Sequence, residues 1–511
     1  MLARIASQAL TGLEGHAVEV EADVVAAAPA FSVVGLPDAA VQESRERVRA
    51  AIVNSRFAFP SRRITVNLAP ADLRKEGPSF DLPIALAFLL ATGQAKDGCD
   101  GRGRLAAVGE LGLDGAVRPV AGALALAESL RRQGVRGLLL PAANAAEASL
   151  VDGLEVYPVA TLAQAVARLE AGGGEPAAAA DAASLLRHRP DSGADLTDIV
   201  GQDLAKRALE VAVAGGHNVL MNGPPGAGKT MLARRLPGIM PDLTIDEAVE
   251  VTRIYSVAGL LPVGSPLVAA RPFRAPHHTI SVAGLVGGGG SPRPGEVSLA
   301  HLGVLFLDEF PEFRLSALEG LRQPLEDGDV TISRRLTSVT FPARLMLVAA
   351  MNPCPCGFLG DRERPCTCPA YRMTQYAARL SGPLLDRIDL RIDVPRVAPR
   401  DRRSGGRGEA SRDVRARVAL ARERQLARLS GTGAFANAHM TARHLRRLCR
   451  MDAEATALLD RAYDRYRLSA RACDRVTKVA QTIADLEGSP VIRSAHLSES
   501  LSYRGTDGRG S

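Results

Sequence analysis

The chain has 511 residues, of which 46% are hydrophobic and 23% are charged, so it is long enough to bury more than one hydrophobic core. Aromatic residues make up only 4% and tryptophan is absent, which argues against nucleic-acid binding on an aromatic stacking platform. The formal net charge of +7 favours a polyanionic partner, although arginine-rich stretches are also typical of solvated helical faces.

Nothing in the sequence predicts a membrane protein. The N-terminal residues lack the long apolar core of a signal peptide, and the best apolar run, residues 84–91, is too short to span a bilayer. We therefore expect a cytoplasmic protein without membrane contact.

Four segments differ in composition and periodicity. Residues 1–168 alternate strand-like and helical runs, which predicts an α/β domain. Residues 169–195 are rich in Gly, Ala, Pro and Ser and are interpreted as a linker. Residues 196–395 contain apolar runs typical of buried parallel strands, and residues 396–511 are mostly helical, which predicts a lid domain. In the first segment the strand-like runs are 17–25, 63–68 and 137–140, and the helical runs are 39–54, 82–91 and 122–133.

A glycine-rich loop follows an apolar strand and precedes a helical run, the context that a phosphate-binding loop requires. The loop consists of Gly223, Pro224, Pro225, Gly226, Ala227, Gly228, Lys229 and Thr230. Its glycines let backbone N–H groups face phosphate oxygens. Lys229 would neutralise the β- and γ-phosphates and Thr230 would bind Mg²⁺. The pattern predicts a site for ATP and Mg²⁺.

Two later apolar runs end in polar residues suited to the same site. Residues 304–307 lead into Asp308 and Glu309, where Asp308 would hold Mg²⁺ and Glu309 would orient the attacking water. Residues 345–350 lead towards Asn352, whose amide could contact the γ-phosphate or the water. A solvent-exposed strand end and a turn-forming asparagine are the simpler alternatives.

These motifs resemble the AAA+ superfamily and, within it, the magnesium-chelatase-like ATPases called ComM or YifB. Further segments that carry the resemblance are FSVVGLPDAA at 31–40, VNLAPADLRKEG at 66–77, RPFRAPHH at 271–278, GEVSLAH at 295–301, LLDRID at 384–389 and TIADLE at 482–487. The resemblance implies an α/β P-loop core with a parallel sheet, a C-terminal helical lid and a ring assembly, expected to be a homo-hexamer.

The resemblance also implies roles for individual residues. Arg387 matches an arginine finger that reaches the γ-phosphate of a neighbouring subunit. Arg471 matches the second sensor of the lid, with Arg475 as the alternative, and Ile199 and Val200 belong to a segment that lies against the adenine. From chemistry alone, each arginine would be a surface ion pair.

The first domain resembles the peptidase domain of Lon, which has a ribosomal protein S5 domain 2-like fold, through residues 75–79 and 109–119. Ser79 corresponds to the nucleophile of Lon, but residues 120–126 contain no lysine where the base should follow. A serine hydroxyl without a base is not activated at neutral pH. We therefore expect a non-proteolytic scaffold that binds DNA or a partner.

Two insertions, residues 283–294 and 327–335, match segments that related helicase-like AAA+ proteins use as pore loops. Arg293, Arg334 and Arg335 could contact DNA phosphates there without reading sequence. A solvated hairpin is the alternative.

Four cysteines lie close together after Asn352, at Cys354, Cys356, Cys366 and Cys368. Four thiolates suffice for a tetrahedral Zn²⁺ site. The C-x-C spacing is tighter than the usual C-x-x-C, so a loop with free thiols is the alternative.

The function that these patterns favour is a DNA motor, a ComM-like helicase or branch-migration translocase in natural transformation or recombination. A protein-remodelling or metal-insertion chaperone resembling the magnesium chelatase ATPase subunit is the alternative. It is weakened because the chain has no Asp-x-Ser-x-Ser pattern of the kind carried by the chelatase partner subunit. An ATP-dependent protease is the third possibility.

Overall fold

The computed structural model of the chain describes residues 1–98, 103–187, 193–262, 265–289, 292–333, 338–361, 364–397 and 408–504. Within these ranges the chain forms a seven-stranded sheet, then a five-stranded sheet, and then a series of helices.

The seven-stranded sheet is mixed. Its strands are β1 (Leu2–Thr11), β2 (Glu14–Val25), β3 (Ala30–Val34), β4 (Arg63–Ala69), β5 (Leu105–Ala107), β8 (Gly137–Pro141) and β9 (Glu155–Val159), while β6 (Glu110–Leu111) and β7 (Val117–Arg118) form a small ribbon. The order across the sheet is β3-β4-β2-β1-β5-β8-β9. Strands β1 and β2 form an antiparallel hairpin, whereas β1, β5, β8 and β9 are parallel.

Helices cover this sheet because their apolar residues pack against its buried side chains. The helices are α1 (Ala39–Asn54), α2 (Asp81–Ala91), α3 (Ala123–Arg132), α4 (Ala145–Ala148), α5 (Leu162–Glu170) and α6 (Ala182–Arg187). Strand β2 buries every second residue, the period of a strand with one face on a core. Helix α2 is apolar on almost every face and contacts β1, β2 and α1. The predicted strands and helices of this segment are confirmed.

The segment predicted as a linker contains more structure than expected. Helix α5 continues to Glu170, and α6 lies inside residues 169–195. Leu185 and Leu186 of α6 pack against the buried cluster around Leu243. This short helix shows little periodicity in the sequence, and its partners are distant in the chain.

The five-stranded sheet is entirely parallel. Its strands are β10 (Val219–Asn222), β11 (Phe273–Arg274), β14 (Val304–Leu307), β17 (Met346–Met351) and β18 (Leu390–Asp393), in the order β11-β14-β17-β10-β18. Strand β10 pairs with β17 and β18, and β14 pairs with β17. The loops that follow β10, β14 and β17 therefore leave the sheet at one edge, where ligands of parallel sheets bind.

Helices and two ribbons surround this sheet. The helices are α7 (Asp203–Gly215), α8 (Lys229–Ile239), α9 (Ile245–Ala258), α10 (Val282–Val286), α11 (Glu296–Leu299), α12 (Leu315–Glu319), α13 (Arg322–Asp327), α14 (Ala370–Ala378) and α15 (Gly382–Leu385). The ribbons pair β12 (Gly287–Gly288) with β13 (Arg293–Pro294), and β15 (Asp329–Ser333) with β16 (Ser338–Pro342).

The C-terminal part is helical, as predicted. Its helices are α16 (Ser411–Leu429), α17 (Ala442–Leu448), α18 (Ala453–Tyr466), α19 (Ala470–Glu487) and α20 (Ser494–Ser502). Helices α16 and α19 pack on α7 beside the five-stranded sheet. A buried polar contact reinforces this packing, since Nε2 of His217 lies 2.8 Å from Oγ1 of Thr482.

The two sheets are joined through α9 and the β15–β16 hairpin. Leu13, in the turn between β1 and β2, packs with Ile254, Val339 and Phe341. Helix α9 also pairs with the first segment, with Nη1 of Arg253 lying 3.2 Å from Oε2 of Glu128. In the part of the chain that is described, no helix is both long and apolar enough to cross a membrane.

Asp81 gives the first segment a pH dependence that can be measured. Its carboxylate is fully buried and accepts hydrogen bonds from Nε and Nη2 of Arg47 at 2.7 and 3.0 Å. Burial raises the pKa of Asp81 to about 6 from 3.8, although Arg47 opposes the shift. Since the folded chain then binds this proton more tightly than the unfolded chain, the stabilising contribution is greatest below about pH 4 and is lost as the pH rises through 6.

We expect the thermal midpoint of the wild type, expressed relative to that of Asp81→Asn, to decrease as the pH rises from 4 to 7 and to stay constant above pH 7. Differential scanning calorimetry of the full chain across this range measures the effect. Asp152→Asn, at an exposed carboxylate, should keep the wild-type pH profile. Identical profiles for the wild type and Asp81→Asn would contradict the assignment.

Candidate nucleotide site

The glycine-rich loop joins β10 to α8 and has a backbone that needs glycine. A Cβ at Gly223 would lie 2.2 Å from the carbonyl oxygen of Val394. Gly226 and Gly228 have φ angles of +78° and +94°, which L-residues with a side chain rarely adopt. Gly228 then caps α8, whose free N-terminal N–H groups point into the loop region. The loop is therefore shaped as an anion site.

Lys229 is buried at the start of α8 and is held by three oxygens. Its Nζ donates to the carbonyls of Gly223 and Pro224, at 2.5 and 3.1 Å, and to Oδ1 of Asn352 at 3.1 Å. Burial lowers the pKa of Lys229 from its ordinary value, and Asp308 partly opposes this shift. Carbonyl groups of the loop after β10 and the side chain of Asn352 after β17 thus meet at one ammonium group.

Thr230 and Asp308 form the second contact of the site. Oγ1 of Thr230 donates to Oδ2 of Asp308 over 2.8 Å. A hydroxyl and a carboxylate at this separation are hard oxygen ligands of the kind that Mg²⁺ prefers. The two predicted magnesium ligands therefore lie together and fit that ion.

Glu309 follows Asp308 and has an unusual backbone conformation. Its φ angle is +52°, which is uncommon for a residue with a side chain and is often found at functional sites. Its side chain is 56% exposed, and Oε2 lies 3.2 Å from Nδ1 of His278. The carboxylate is therefore accessible to water and follows directly after Asp308, one of the two predicted magnesium ligands.

His278 is a residue of the site that sequence reasoning did not single out. It belongs to the RPFRAPHH segment, which contains β11 and carries part of the family resemblance. Strand β11 is short and lies at the edge of the sheet, so the sequence gives little indication that its carboxyl end is part of the site. The two adjacent histidines of this segment are the sequence feature that could have indicated a site residue.

The segment that the resemblance assigns to the adenine is tied to the same loop. Ile199 is buried, and its carbonyl accepts a hydrogen bond from Nζ of Lys206. Nε2 of Gln202 donates to the carbonyl of Ala227 over 3.3 Å. Ile199 and Val200 thus lie on a segment fastened to the phosphate loop.

Arg387 and Arg471 line one cleft, and in the described part of the chain no residue of their own phosphate loop lines it. Both line a cleft of about 620 Å³ between the α13–β15 region and the C-terminal helices. Nη1 of Arg387 donates to the carbonyl of Pro383 over 2.7 Å, and Nη2 pairs with Glu326. Arg475, the alternative to Arg471, lines the same cleft and donates to the carbonyl of Asp386. Among the described residues that line this cleft, none belongs to residues 223–230.

The two predicted pore loops lie next to each other. A Cβ at Gly287 of β12 would lie 2.9 Å from Cδ1 of Ile332 on β15. Arg293 is exposed on β13. Arg334 and Arg335 fall outside the described residues, so their predicted role stays a prediction.

The four cysteines converge on one point. Sγ of Cys354 lies 3.4 Å from Sγ of Cys356 and 3.6 Å from Sγ of Cys366, and all four sulfur atoms lie within 4.8 Å of one another. This group, completed by Cys368, could hold a metal ion.

Ser79 lies in a 3₁₀ turn before α2 and is half-buried. Residues 120–126, which lack a lysine, lead into α3. The nearby Lys75 is buried, and its Nζ donates to the carbonyl of Pro70. The Lys75 ammonium thus has a structural hydrogen bond in the described chain.

Comparison with known proteins identifies the family. Three family models match, namely "Magnesium chelatase, subunit ChlI" over residues 195–402, "Subunit ChlI of Mg-chelatase" over 20–144, and "Magnesium chelatase, subunit ChlI C-terminal" over 408–504. The competence protein ComM of Haemophilus influenzae is 44% identical over 98% of this chain and 97% of its own length. The chain belongs to the YifB and ComM family of magnesium-chelatase-like proteins.

Other members of the YifB and ComM family match over a similar length. The uncharacterized protein YifB of Escherichia coli is 42% identical over 99% of this chain and 97% of its own length. An uncharacterized protein of Mycobacterium tuberculosis is 46% identical over 99% of both chains. The expected family is thus confirmed, together with its mixed α/β fold containing a parallel sheet.

Glu309 offers a test that separates binding from turnover. Glu309→Gln removes the negative charge while keeping the shape, so we expect ATP affinity within about threefold of wild type and a turnover lower by roughly 10²–10⁴-fold, the usual contribution of a general base. Isothermal titration with ATP and a phosphate-release assay measure the two effects.

Glu312→Gln is the matched control, because Glu312 follows Glu309 in the same turn but pairs with Arg379 at 2.6 Å. It should leave turnover near the wild-type value. Equal losses in the two variants would show that Glu309 has no special role.

Proposed function

We propose that this chain is an ATP-hydrolysing AAA+ ring motor that acts on DNA, a ComM-like helicase or branch-migration translocase. The observation that carries the proposal is the meeting of Lys229, Thr230, Asp308 and Asn352 at one sheet edge, with Arg387 in a separate cleft. Its cofactors are ATP, Mg²⁺ and a structural Zn²⁺.

Each residue of the site has a task in hydrolysis. The N–H groups of the loop and the Lys229 ammonium bind the β- and γ-phosphates. Thr230 and Asp308 would hold Mg²⁺, which would supply positive charge beside the phosphates. Glu309 accepts a proton from the water whose oxygen attacks the γ-phosphorus, and ADP leaves. Asn352 orients the water or the γ-phosphate.

A second copy of the chain completes the site. Arg387 and Arg471 lie in a cleft that excludes the phosphate loop of their own chain, so they would act on nucleotide held by a neighbour. Arginine suits this role because its fixed fork stabilises several phosphate oxygens at once. We propose a homo-hexameric ring as the working assembly.

DNA would be contacted through the paired loops of each subunit. The exposed Arg293 lies on a ribbon that adjoins the β15–β16 hairpin, and the chain carries a net charge of +7. A phosphate-directed contact of this kind needs no base recognition. The Haemophilus influenzae relative is named as a competence protein, which supports the proposed role in natural transformation or recombination.

The remaining parts serve this motor. We propose that residues 1–168 form a Lon-like but non-proteolytic scaffold, that 196–395 form the ATPase core and that 396–511 form its helical lid. A protein-remodelling or metal-insertion chaperone is the second candidate, because the matching family models are named after a magnesium chelatase subunit.

The intersubunit site can be tested by mixing inactive variants. Lys229→Ala should lose ATP binding, since the loop then lacks its buried cation, and Arg387→Ala should bind ATP but lose turnover by roughly 10³-fold. A mixture of the two should regain turnover, because some sites then pair an intact loop with an intact Arg387. Phosphate release after co-assembly measures the recovery.

Arg379→Ala is the control for arginine loss, because Arg379 pairs with Glu312 rather than lining the cleft. It should retain turnover. A mixture no more active than its two components would argue against a site shared between subunits.

The DNA partner is tested by ATP turnover with and without single-stranded, forked and four-way DNA at one stated salt concentration. We expect the wild type to be stimulated, Arg293→Ala and Arg334→Ala to lose part of the stimulation while keeping basal turnover, and Lys229→Ala to be inactive. Arg412→Ala, at an 81% exposed side chain on α16, is the matched control. ATP turnover without DNA binding or stimulation would refute the DNA role.

A further inference from the structure

We infer that the cysteine loop, residues 354–368, holds a Zn²⁺ ion that positions the nucleotide site through Asn352 and the phosphate loop. The consequence for nucleotide binding rests on the proposed function, whereas the metal site and its effect on the loop rest on geometry alone.

The sulfur positions match a tetrahedral metal site. With a Zn–S bond of about 2.3 Å, the edges of the tetrahedron are about 3.8 Å long. The measured separations from Cys354 to Cys356 and Cys366 are 3.4 and 3.6 Å, and Cys356 lies 3.6 Å from Cys366. A disulfide would instead need about 2.05 Å. The four thiols are therefore arranged around a common centre rather than in bonded pairs.

Backbone N–H groups support the sulfur atoms as thiolates. The N–H of Cys356 donates to Sγ of Cys368 over 3.3 Å, and the N–H of Cys368 donates to Sγ of Cys366 over 3.4 Å. Cys354 is completely buried. Soft thiolate ligands in a tetrahedron select Zn²⁺ over Mg²⁺ or Ca²⁺, so this ion would be distinct from the one held at Thr230 and Asp308.

The loop is continuous with the strand that carries Asn352. Strand β17 ends at Met351, and Asn352, which accepts the hydrogen bond from Lys229, is two residues before Cys354. A metal bound to Cys354 therefore restrains the backbone that orients the Asn352 amide.

The loop also packs directly on the phosphate loop. Gly357, with a φ angle of +85°, is so close to Pro225 that an added Cβ would lie 2.6 Å from its Cδ. Nη2 of Arg396 donates to the carbonyl of Pro225 over 3.3 Å, and its guanidinium lies 5.6 Å from the centre of the Phe358 ring. Pro225 is thus held between the cysteine loop and Arg396.

The described part of the cysteine loop has little regular structure that could hold this arrangement without a metal. Among the described residues between β17 and α14, there is neither a helix nor a strand. Tyr376 of α14 is buried. A metal that joins four side chains across such a loop lowers the number of conformations available to it.

The metal is tested on the full chain by elemental analysis and by cobalt substitution. We expect about one zinc per chain in the wild type and in Cys473→Ser, a control on α19 away from the loop, and loss of most of the zinc in Cys368→Ser and Cys354→Ser. Cobalt added to the zinc-free wild type should show the visible absorption of a tetrahedral thiolate site, and Cys368→Ser should not.

The positioning is tested by hydrogen exchange without nucleotide. Removal of zinc by a chelator should speed amide exchange at residues 223–230 and 351–357, whereas exchange in α2 and α19 should stay unchanged, which shows that the chain remains folded. Zinc chloride should reverse the effect in the wild type but not in Cys368→Ser.

The effect on the site is tested with a fluorescent ATP analogue and Mg²⁺. We expect about tenfold weaker binding after zinc loss, because the hydrogen bond from the charged Lys229 to Asn352 is then no longer held in place. Cys473→Ser should bind the analogue as the wild type does.

A wild type without metal would overturn the inference, and so would zinc removal that leaves exchange at residues 223–230 unchanged. A wild type that binds zinc, shows the exchange effect and yet binds no ATP analogue would support the inference and refute the proposed function. The two ideas therefore fail on different measurements.

Discussion

The ammonium group of Lys229 is the point on which the candidate site depends. A buried cation is unfavourable unless hydrogen bonds replace its water, and here the replacements come from the loop after β10 and from Asn352 after β17. The parallel arrangement of the five strands makes this possible, because it brings the carboxyl ends of β10, β14 and β17 to one edge. Asp308 lies at the same edge and accepts a hydrogen bond from Thr230. The contacts of Lys229 with Asn352 and of Thr230 with Asp308 together define where phosphate and Mg²⁺ would lie.

The opposite end of β10 connects this edge to the arginine cleft. Asn218, just before β10, donates from Nδ2 to the carbonyl of Arg387 over 2.9 Å and accepts at Oδ1 from the N–H of Leu347 over 2.8 Å. The Asn218 side chain thus connects the segment that contains Arg387 to strand β17, which leads to Asn352.

The first sheet contacts the hairpin that we propose for DNA binding. Its β1–β2 turn packs against the β15–β16 hairpin, and a Cβ at Gly12 would lie 2.2 Å from Cγ1 of Val339. This hairpin adjoins the ribbon that carries Arg293. The first segment thus contacts the β15–β16 hairpin, one of the two elements that we propose for DNA.

The sequence by itself determined the phosphate loop, the strands before Asp308 and Asn352, and the family, because these depend on local patterns of glycine, apolar residues and strand ends. The helices of the C-terminal part could likewise be predicted from the helical periodicity of their sequences. Helix α6, the contact of His278 with Glu309 and the separation of Arg387 from its own phosphate loop were decided only by the tertiary structure. Each depends on residues distant in the chain that packing brings together or keeps apart, and neither periodicity nor spacing encodes such distances. The cysteine loop shows both levels: the number of its cysteines suggested a metal, whereas only the fold brings the sulfur atoms together and places Gly357 against Pro225.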